Sequence, residues 1–179
     1  RLTATGNTNT DGTTGTYTDN AGTNSVSHSG FSTLQGGAGI DTFTLGAAST
    51  FALKGGGGVD VFALATNTLT GSIDGEANGG SITGIGSATL TGTGGTIGYN
   101  GTSANVSANF SNITNLTGTG TLTGTNNAST WSVNGGTYTD NGGTNSVSFS
   151  GFGTLTGGSA IDTFNVGAAS AYNLKGGAG

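Results

Sequence analysis

The sequence predicts an all-β protein: a parallel β-solenoid with coils of roughly twenty residues, about six to each 121-residue repeat. Three observations carry this expectation. Leu34-Gln35-Gly36-Gly37 followed by Ile40-Asp41-Thr42-Phe43 returns nineteen residues later as Leu53-Lys54-Gly55-Gly56 followed by Val59-Asp60-Val61-Phe62. A longer period lies above the short one, since Gly15 to Gly58 and Gly136 to Gly179 agree at 32 of 44 positions without a gap. Glycine makes up 39 of the 179 residues, proline is absent and charged residues are 6%. In such a chain the thinly spread Leu, Ile, Val and Phe suit a narrow interior better than a thick globular core.

Taken in order, Thr16-Tyr17-Thr18-Asp19-Asn20 opens the part that recurs as Thr137-Tyr138-Thr139-Asp140-Asn141. From Gly36 onward each glycine cluster reads as a turn, because glycine adopts positive φ without steric cost. The alternation in Asp41-Thr42-Phe43-Thr44-Leu45 points Phe43 and Leu45 to one face, where they are expected to stack on Phe62 and Leu64 one coil on. An aliphatic residue, any residue and glycine then recur, beginning at Leu34, Leu53, Ile73, Leu90, Leu116, Val133, Leu155 and Leu174, in steps of 19, 20, 17, 26, 17, 22 and 19. Six such steps make one unit, and at about 4.8 Å per coil they would advance the axis by about 29 Å.

The wide step from Leu90 to Leu116 holds Asn100 to Asn112 and predicts a longer loop or an extra strand, anchored by Tyr99, Val106 and Phe110. No helix is expected, since the apolar residues fall at strand spacing and each helical glycine would cost about 1 kcal/mol. Residues 1–121 are read as the first repeat unit of one continuous body and 122–179 as the first half of the next. Lys175-Gly176-Gly177-Ala178-Gly179 repeats Lys54-Gly55-Gly56-Gly57-Gly58, which suggests a piece of a longer protein cut in mid-repeat.

A net charge of -5 with three basic residues argues against nucleic acid and against anionic membrane surfaces. No run of about 18 apolar residues is present, so no membrane insertion of this segment is expected. Cysteine is absent, which removes disulfides and thiol chemistry. His28, with Ser27 and Asp19 close in sequence, has the residue types of a nucleophilic site. Its counterpart in the second unit is Phe149, so an aromatic stack is the expected role. Trp131 is read as a core or edge aromatic. The carboxylate pairs Asp74 with Glu76 and Asp41 with Asp60 have the residue types of a glycosidase, but internal Arg is absent and an enzyme seldom repeats its site, so no enzyme is expected. Thr-x-Thr pairs such as Thr91-Gly92-Thr93 and Thr119-Gly120-Thr121 raise an ice-binding ladder, which the unequal coil lengths would put out of register.

Gly36 to Thr44 and Gly55 to Ala63 both fit the nine-residue pattern glycine, glycine, any, glycine, any, aspartate, any, apolar, any; the copy from Gly157 lacks the glycine at Ala160. This resembles the calcium-binding nonapeptide repeats of RTX proteins, and the resemblance implies calcium held between coils by Asp41, Asp60 and Asp162. In-register stacking would place Asp41 and Asp60 about 5 Å apart, where two like charges repel by about 1 kcal/mol in water, and calcium would relieve that repulsion. The other role for these aspartates is to cap the glycine turn through backbone hydrogen bonds. Both roles remain open at this point.

Phrases such as Asn109-Phe110-Ser111-Asn112-Ile113-Thr114-Asn115-Leu116-Thr117-Gly118 and Trp131-Ser132-Val133-Asn134-Gly135 are similar to those of large repeat-containing bacterial surface proteins, the filamentous-haemagglutinin-type and RTX-like adhesins. The resemblance implies a secreted, cell-surface or matrix-building protein whose repeats act as stalk, sheath or filament. The expected partners are further copies of the repeat in cis, self-association into fibres, and a carbohydrate or other cell-surface ligand. The alternative is a binding module for carbohydrate, ice or mineral, with or without calcium.

Overall fold

The computed structural model describes residues 2–4, 6–12, 14–19, 24–140 and 143–179. Asn20 and Asn141 of the repeated Thr-Tyr-Thr-Asp-Asn phrase lie outside them. The described residues are all-β, as expected, with twenty strands in one sheet and a single 3-10 turn, Glu76–Asn78.

The chain opens with β1 (Leu2–Ala4), β2 (Gly6–Gly12), β3 (Thr14–Asp19) and β4 (Ser25–Ser29), where β2, β3 and β4 form an antiparallel meander. It continues through β5 (Thr33–Gly36), β6 (Thr42–Ser49), β7 (Ala52–Lys54), β8 (Asp60–Ala63) and β9 (Ile73–Asp74). Here each strand pairs in parallel with the strand two places on: β5 with β7, β6 with β8, β7 with β9. Next come β10 (Gly80–Ile85), β11 (Ala88–Thr93), β12 (Tyr99–Ser103), β13 (Val106–Gly118) and β14 (Thr121–Thr123). The chain closes with β15 (Ser129–Ser132), β16 (Thr137–Asp140), β17 (Val147–Ser150), β18 (Thr154–Thr156), β19 (Asp162–Asn165) and β20 (Asn173–Lys175).

Parallel register runs in columns. One carries Phe43, Phe62, Ile82, Leu116 and Phe149; a second carries Leu34, Leu53, Ile73 and Phe110; a third carries Ala88, Leu122, Leu155 and Leu174. All of these side chains are buried except Leu174. Strand alternation puts Phe43 and Leu45 inside, both 1% exposed, and the Phe43 and Phe62 rings stack at 5.2 Å with an interplanar angle of 11°. Leu64 is buried beside them.

Two expectations are corrected. The sheet is mixed rather than parallel throughout: β11, β12 and β13 pair antiparallel, as do β15, β16 and β17. Nor is the unit built of near-equal coils: from Phe43 to its counterpart Phe164 the strands lie in the order β6, β8, β10, β13, β17, β16, β15, β19, seven strand spacings. Along the first column the steps are 19, 20, 34 and 33 residues, four rungs from Phe43 to Phe149. The two long steps contain the hairpins. Leu90 sits on β11, which heads the third column and is antiparallel to β12, whereas Val133 lies in the turn between β15 and β16 and begins no strand. A short aliphatic-x-glycine phrase fits a hairpin turn as well as a coil corner, because both need the same positive-φ glycine.

The extra strand expected between Leu90 and Leu116 is β12, and Tyr99, Val106 and Phe110 are each no more than 1% exposed. β13 serves two columns, pairing with β9 at Phe110 and Ser111 and with β10 and β17 from Asn115 to Thr117. Asn112 turns the corner between these segments at φ +54, a conformation that asparagine tolerates better than most residues. Its amide holds the corner, Oδ1 accepting from the Thr96 N–H at 3.1 Å and Nδ2 donating to Asp74 at 2.8 Å.

The long repeat recurs in the pairing. Thr16 and Tyr17 oppose Ser27 and Val26, and 121 residues later Thr137 and Tyr138 oppose Ser148 and Val147. Leu34 on Leu53 likewise returns as Leu155 on Leu174.

Candidate functional site at the glycine turns

The two copies of the nine-residue phrase lie directly on one another. Thr42 pairs with Val61 and Phe43 with Phe62, while the Gly57 N–H donates to the Gly37 carbonyl at 2.7 Å and the Val61 N–H to the Asp41 carbonyl at 2.9 Å. In the second unit the Ala178 N–H donates to the Gly158 carbonyl at 2.9 Å. Stacking this close decides the residue type. Gly56 has φ +93 and Gly177 φ +85, and a Cβ on either would run into a carbonyl of the turn beneath, that of Gly37 or of Gly158.

Asp41 is 2% exposed and Asp60 is fully buried. The Asp41 carboxylate accepts from the Gly37 N–H at 2.8 Å, and Asp60 Oδ1 accepts from the Asp41 N–H at 2.8 Å. Asp41 thus closes its own turn, whereas Asp60 ties its turn to the one before it, the Gly56 N–H of its own turn going to Glu76. Asp60 Oδ2 is buried without a hydrogen-bond partner. Burial, and after it the negative charges of Asp41 and Glu76, push the Asp60 carboxyl up to about 6, although the hydrogen bond from Asp41 opposes the shift. Asp162 has a different neighbour. It lies over Ser129, whose hydroxyl donates to Oδ1, and its Oδ2 is buried without a partner.

Calcium takes six to eight oxygens. Around these turns the carbonyls of Gly37, Asp41 and Gly158 accept backbone N–H groups, and one oxygen of each aspartate already accepts a hydrogen bond. The buried side-chain oxygens without partners are one on Asp60 and one on Asp162, in different rungs. Among the described residues no group of three or more His, Asp or Glu is placed to hold a metal. As arranged, the donor set falls short of a calcium shell and has the geometry of turn capping.

A second polar cluster borders the Asp ladder. Glu76, at the unusual φ of +52, accepts from the Gly56 N–H at 2.8 Å, from Gln35 Nε2 at 3.0 Å and from Lys54 Nζ at 3.3 Å. Asp74 accepts from the Glu76 N–H and from Asn112 Nδ2, and lies 3.9 Å from Lys54 Nζ. The pair with glycosidase residue types therefore spends its oxygens on the chain's own turns, with Glu76 locking three successive rungs through Gln35, Gly56 and itself. Sequence reading noticed these carboxylates and missed this role, because nothing local marks Glu76 as reaching back 20 and 41 residues.

His28 is 6% exposed, and neither ring nitrogen has a partner. It packs edge-on against Phe31 and Phe51, and burial lowers its pKa. Ser27 is exposed on the alternate face of β4, and the Asp19 side chain lies outside the described residues. Phe149 holds the equivalent place, edge-on to Trp131 and Tyr172. Trp131 is fully buried and stacks on Phe164 at 5.4 Å. The polar core beside it was not legible in sequence. The Tyr99 hydroxyl accepts from the Asp140 N–H at 2.7 Å, and the Tyr138 hydroxyl accepts from the Thr125 N–H at 2.9 Å.

No known protein family, curated protein sequence or solved structure matches the chain.

Proposed function

We propose that this chain is a structural segment of a secreted bacterial surface or matrix protein, a parallel β-solenoid interrupted by antiparallel hairpins, whose job is reach and cohesion. Residues 1–121 and the part from 122 onward are successive units of one rod. The observation that carries the reading is the in-register stacking of Phe43, Phe62, Ile82, Leu116 and Phe149, together with the return of the same strand pairs 121 residues later. A chain stacked this way gains its stability between neighbouring rungs, so adding units adds length without a larger core. The extracellular setting follows from the resemblance to repeat-rich adhesins.

A face that binds carbohydrate, ice or mineral calls for long aligned ladders or exposed aromatics. The Thr-x-Thr register of β14 on β18 spans two rungs, with Thr121 on Thr154 and Thr123 on Thr156, and Trp131 is buried. Cohesion is the better supported role.

Small-angle scattering tests it. Seven strand spacings separate Phe43 from its counterpart Phe164, and at about 4.8 Å each they predict that one further 121-residue unit lengthens the particle by about 34 Å at unchanged cross-section. Growth in cross-section instead of length would sink the rod. Detection of the chain on intact cells of its source, before and after surface proteolysis, tests the location.

A further inference from the structure

Four Asn-Gly pairs occur in the chain, Asn78-Gly79, Asn100-Gly101, Asn134-Gly135 and Asn141-Gly142, and the last lies outside the described residues. Such a pair carries its own reagents. The main-chain nitrogen of the glycine attacks the side-chain carbon of the asparagine readily, because the following residue has no Cβ to stand in the way.

The fold treats the three described pairs differently. Asn100 is held at both ends of its amide, Nδ2 donating to the Thr93 carbonyl at 3.1 Å and Oδ1 accepting from the Asn112 N–H at 3.2 Å. Gly101 after it is fixed in the sheet between Leu90 and Phe110. Asn134 is held likewise: Oδ1 accepts from the Gly167 and Ala168 N–H groups at 2.9 and 3.1 Å, and Nδ2 donates to the Ala169 carbonyl at 3.3 Å. Asn78 is exposed at the end of the Glu76–Asn78 turn, and its amide makes no hydrogen bond among the described residues. Its glycine is nonetheless required, since Gly79 has φ +80 and a Cβ there would lie 2.6 Å from Thr114 Cγ2.

Asn78 also sits where a change is felt. Glu76, two residues before it, accepts from the Gly56 N–H, Gln35 and Lys54. The loop that carries both is closed tightly, because a Cβ on Gly75 would come within 2.6 Å of the Gly80 nitrogen.

We propose that Asn78 is a self-modifying site whose conversion loosens the Glu76 lock. The Gly79 nitrogen bonds to Asn78 Cγ and gives up its proton, and the side-chain nitrogen leaves as ammonia. Water then opens the five-membered imide at one carbonyl or the other, leaving aspartate or isoaspartate. Either product adds a negative charge beside Asp74 and Glu76, which it repels. Isoaspartate also adds one atom to the main chain of the closed loop. Both changes push Glu76 off the Gly56 N–H. The site stands whether or not successive units build a rod.

The test follows the whole chain in mildly alkaline buffer by peptide mass spectrometry, folded and in concentrated urea. In the folded chain Asn78 is expected to convert at least about tenfold faster than Asn100 or Asn134, whose amides must first give up their hydrogen bonds. In urea the gap should close. Conversion of Asn78 no faster than the other two in the folded chain would overturn the site, and the same gap in urea would trace it to neighbouring sequence and overturn the fold's selection. Amide exchange at Gly56 then reads the lock. It should be at least about fivefold faster in the isoaspartate form, separated by chromatography, than in fresh protein. Asn78→Asp, which gains the charge without the extra atom, should fall between them. Asn78→Gln, which cannot close the five-membered ring, should keep Gly56 protected through the same incubation. Unchanged exchange in the isoaspartate form, or an equal loss of protection in Asn78→Gln, would overturn the coupling to Glu76.

Discussion

At Asp60 a single carboxylate sets a pH dependence. It is fully buried, one oxygen lacks a partner, and its proton is held up to about 6 in the folded chain, against about 3.9 when unfolded. A raised folded pKa means that the native state binds the extra proton, so the contribution to stability is full below about pH 4 and is lost as pH rises through about 6. Asp60→Asn keeps the acceptor for the Asp41 N–H and removes the charge. Its denaturation midpoint should exceed the parent's at pH 7.5 and converge with it near pH 4; a variant weaker than the parent at pH 7.5 would show that the charge is wanted there. His28 works in the opposite direction. Its pKa is lowered by burial, so the unfolded chain gains the proton first and stability falls as pH drops through about 6.5. His28→Phe, copying Phe149, removes two buried nitrogens without partners and should raise stability by about 1–3 kcal/mol at pH 7. Urea titration of each variant at both pH values separates the two effects.

At the scale of one turn, glycine is required by contact as well as by φ. Gly56→Ala would strain the left-handed backbone and press a methyl on the Gly37 carbonyl below. A loss of at least about 1–2 kcal/mol is expected from the backbone alone. Gly167, where an added Cβ would meet nothing within 4 Å, should accept Ala within about 0.5 kcal/mol. Equal costs at the two sites, measured by chemical denaturation, would refute stacking as the reason for glycine at the turns. The turn glycines, the strand alternation and the anchors Tyr99, Val106 and Phe110 were readable because each depends on a few adjacent residues. The reach of Glu76 to Gln35 and the bond from the Asp140 N–H to the Tyr99 hydroxyl were not, since they join residues 41 apart in sequence.

Across the whole molecule, cohesion rests on backbone pairing between strands and on the stacked apolar columns, and the two buried turn oxygens without partners, on Asp60 and Asp162, lie in different rungs. The thermal midpoint, followed by far-UV circular dichroism, should therefore differ by no more than about one degree between millimolar calcium and chelator. A rise of several degrees that Asp41→Asn with Asp60→Asn abolishes would restore the metal to the turns.

By itself the sequence determined that this chain is all-β, that glycine marks its corners, that Phe43, Leu45, Phe62 and Leu64 turn inward, and that a unit of 121 residues recurs. These follow from side-chain alternation, glycine's freedom in φ and plain identity, all of them local. Only the tertiary structure decided how the strands pair: parallel steps of 19, 20, 34 and 33 residues where spacing suggested six near-equal coils, and antiparallel hairpins in the two longer steps. The physical reason is that an alternating strand satisfies its hydrogen bonds equally well beside a parallel or an antiparallel neighbour. The choice lies in which distant segment arrives alongside, and the length of the intervening chain does not reveal it.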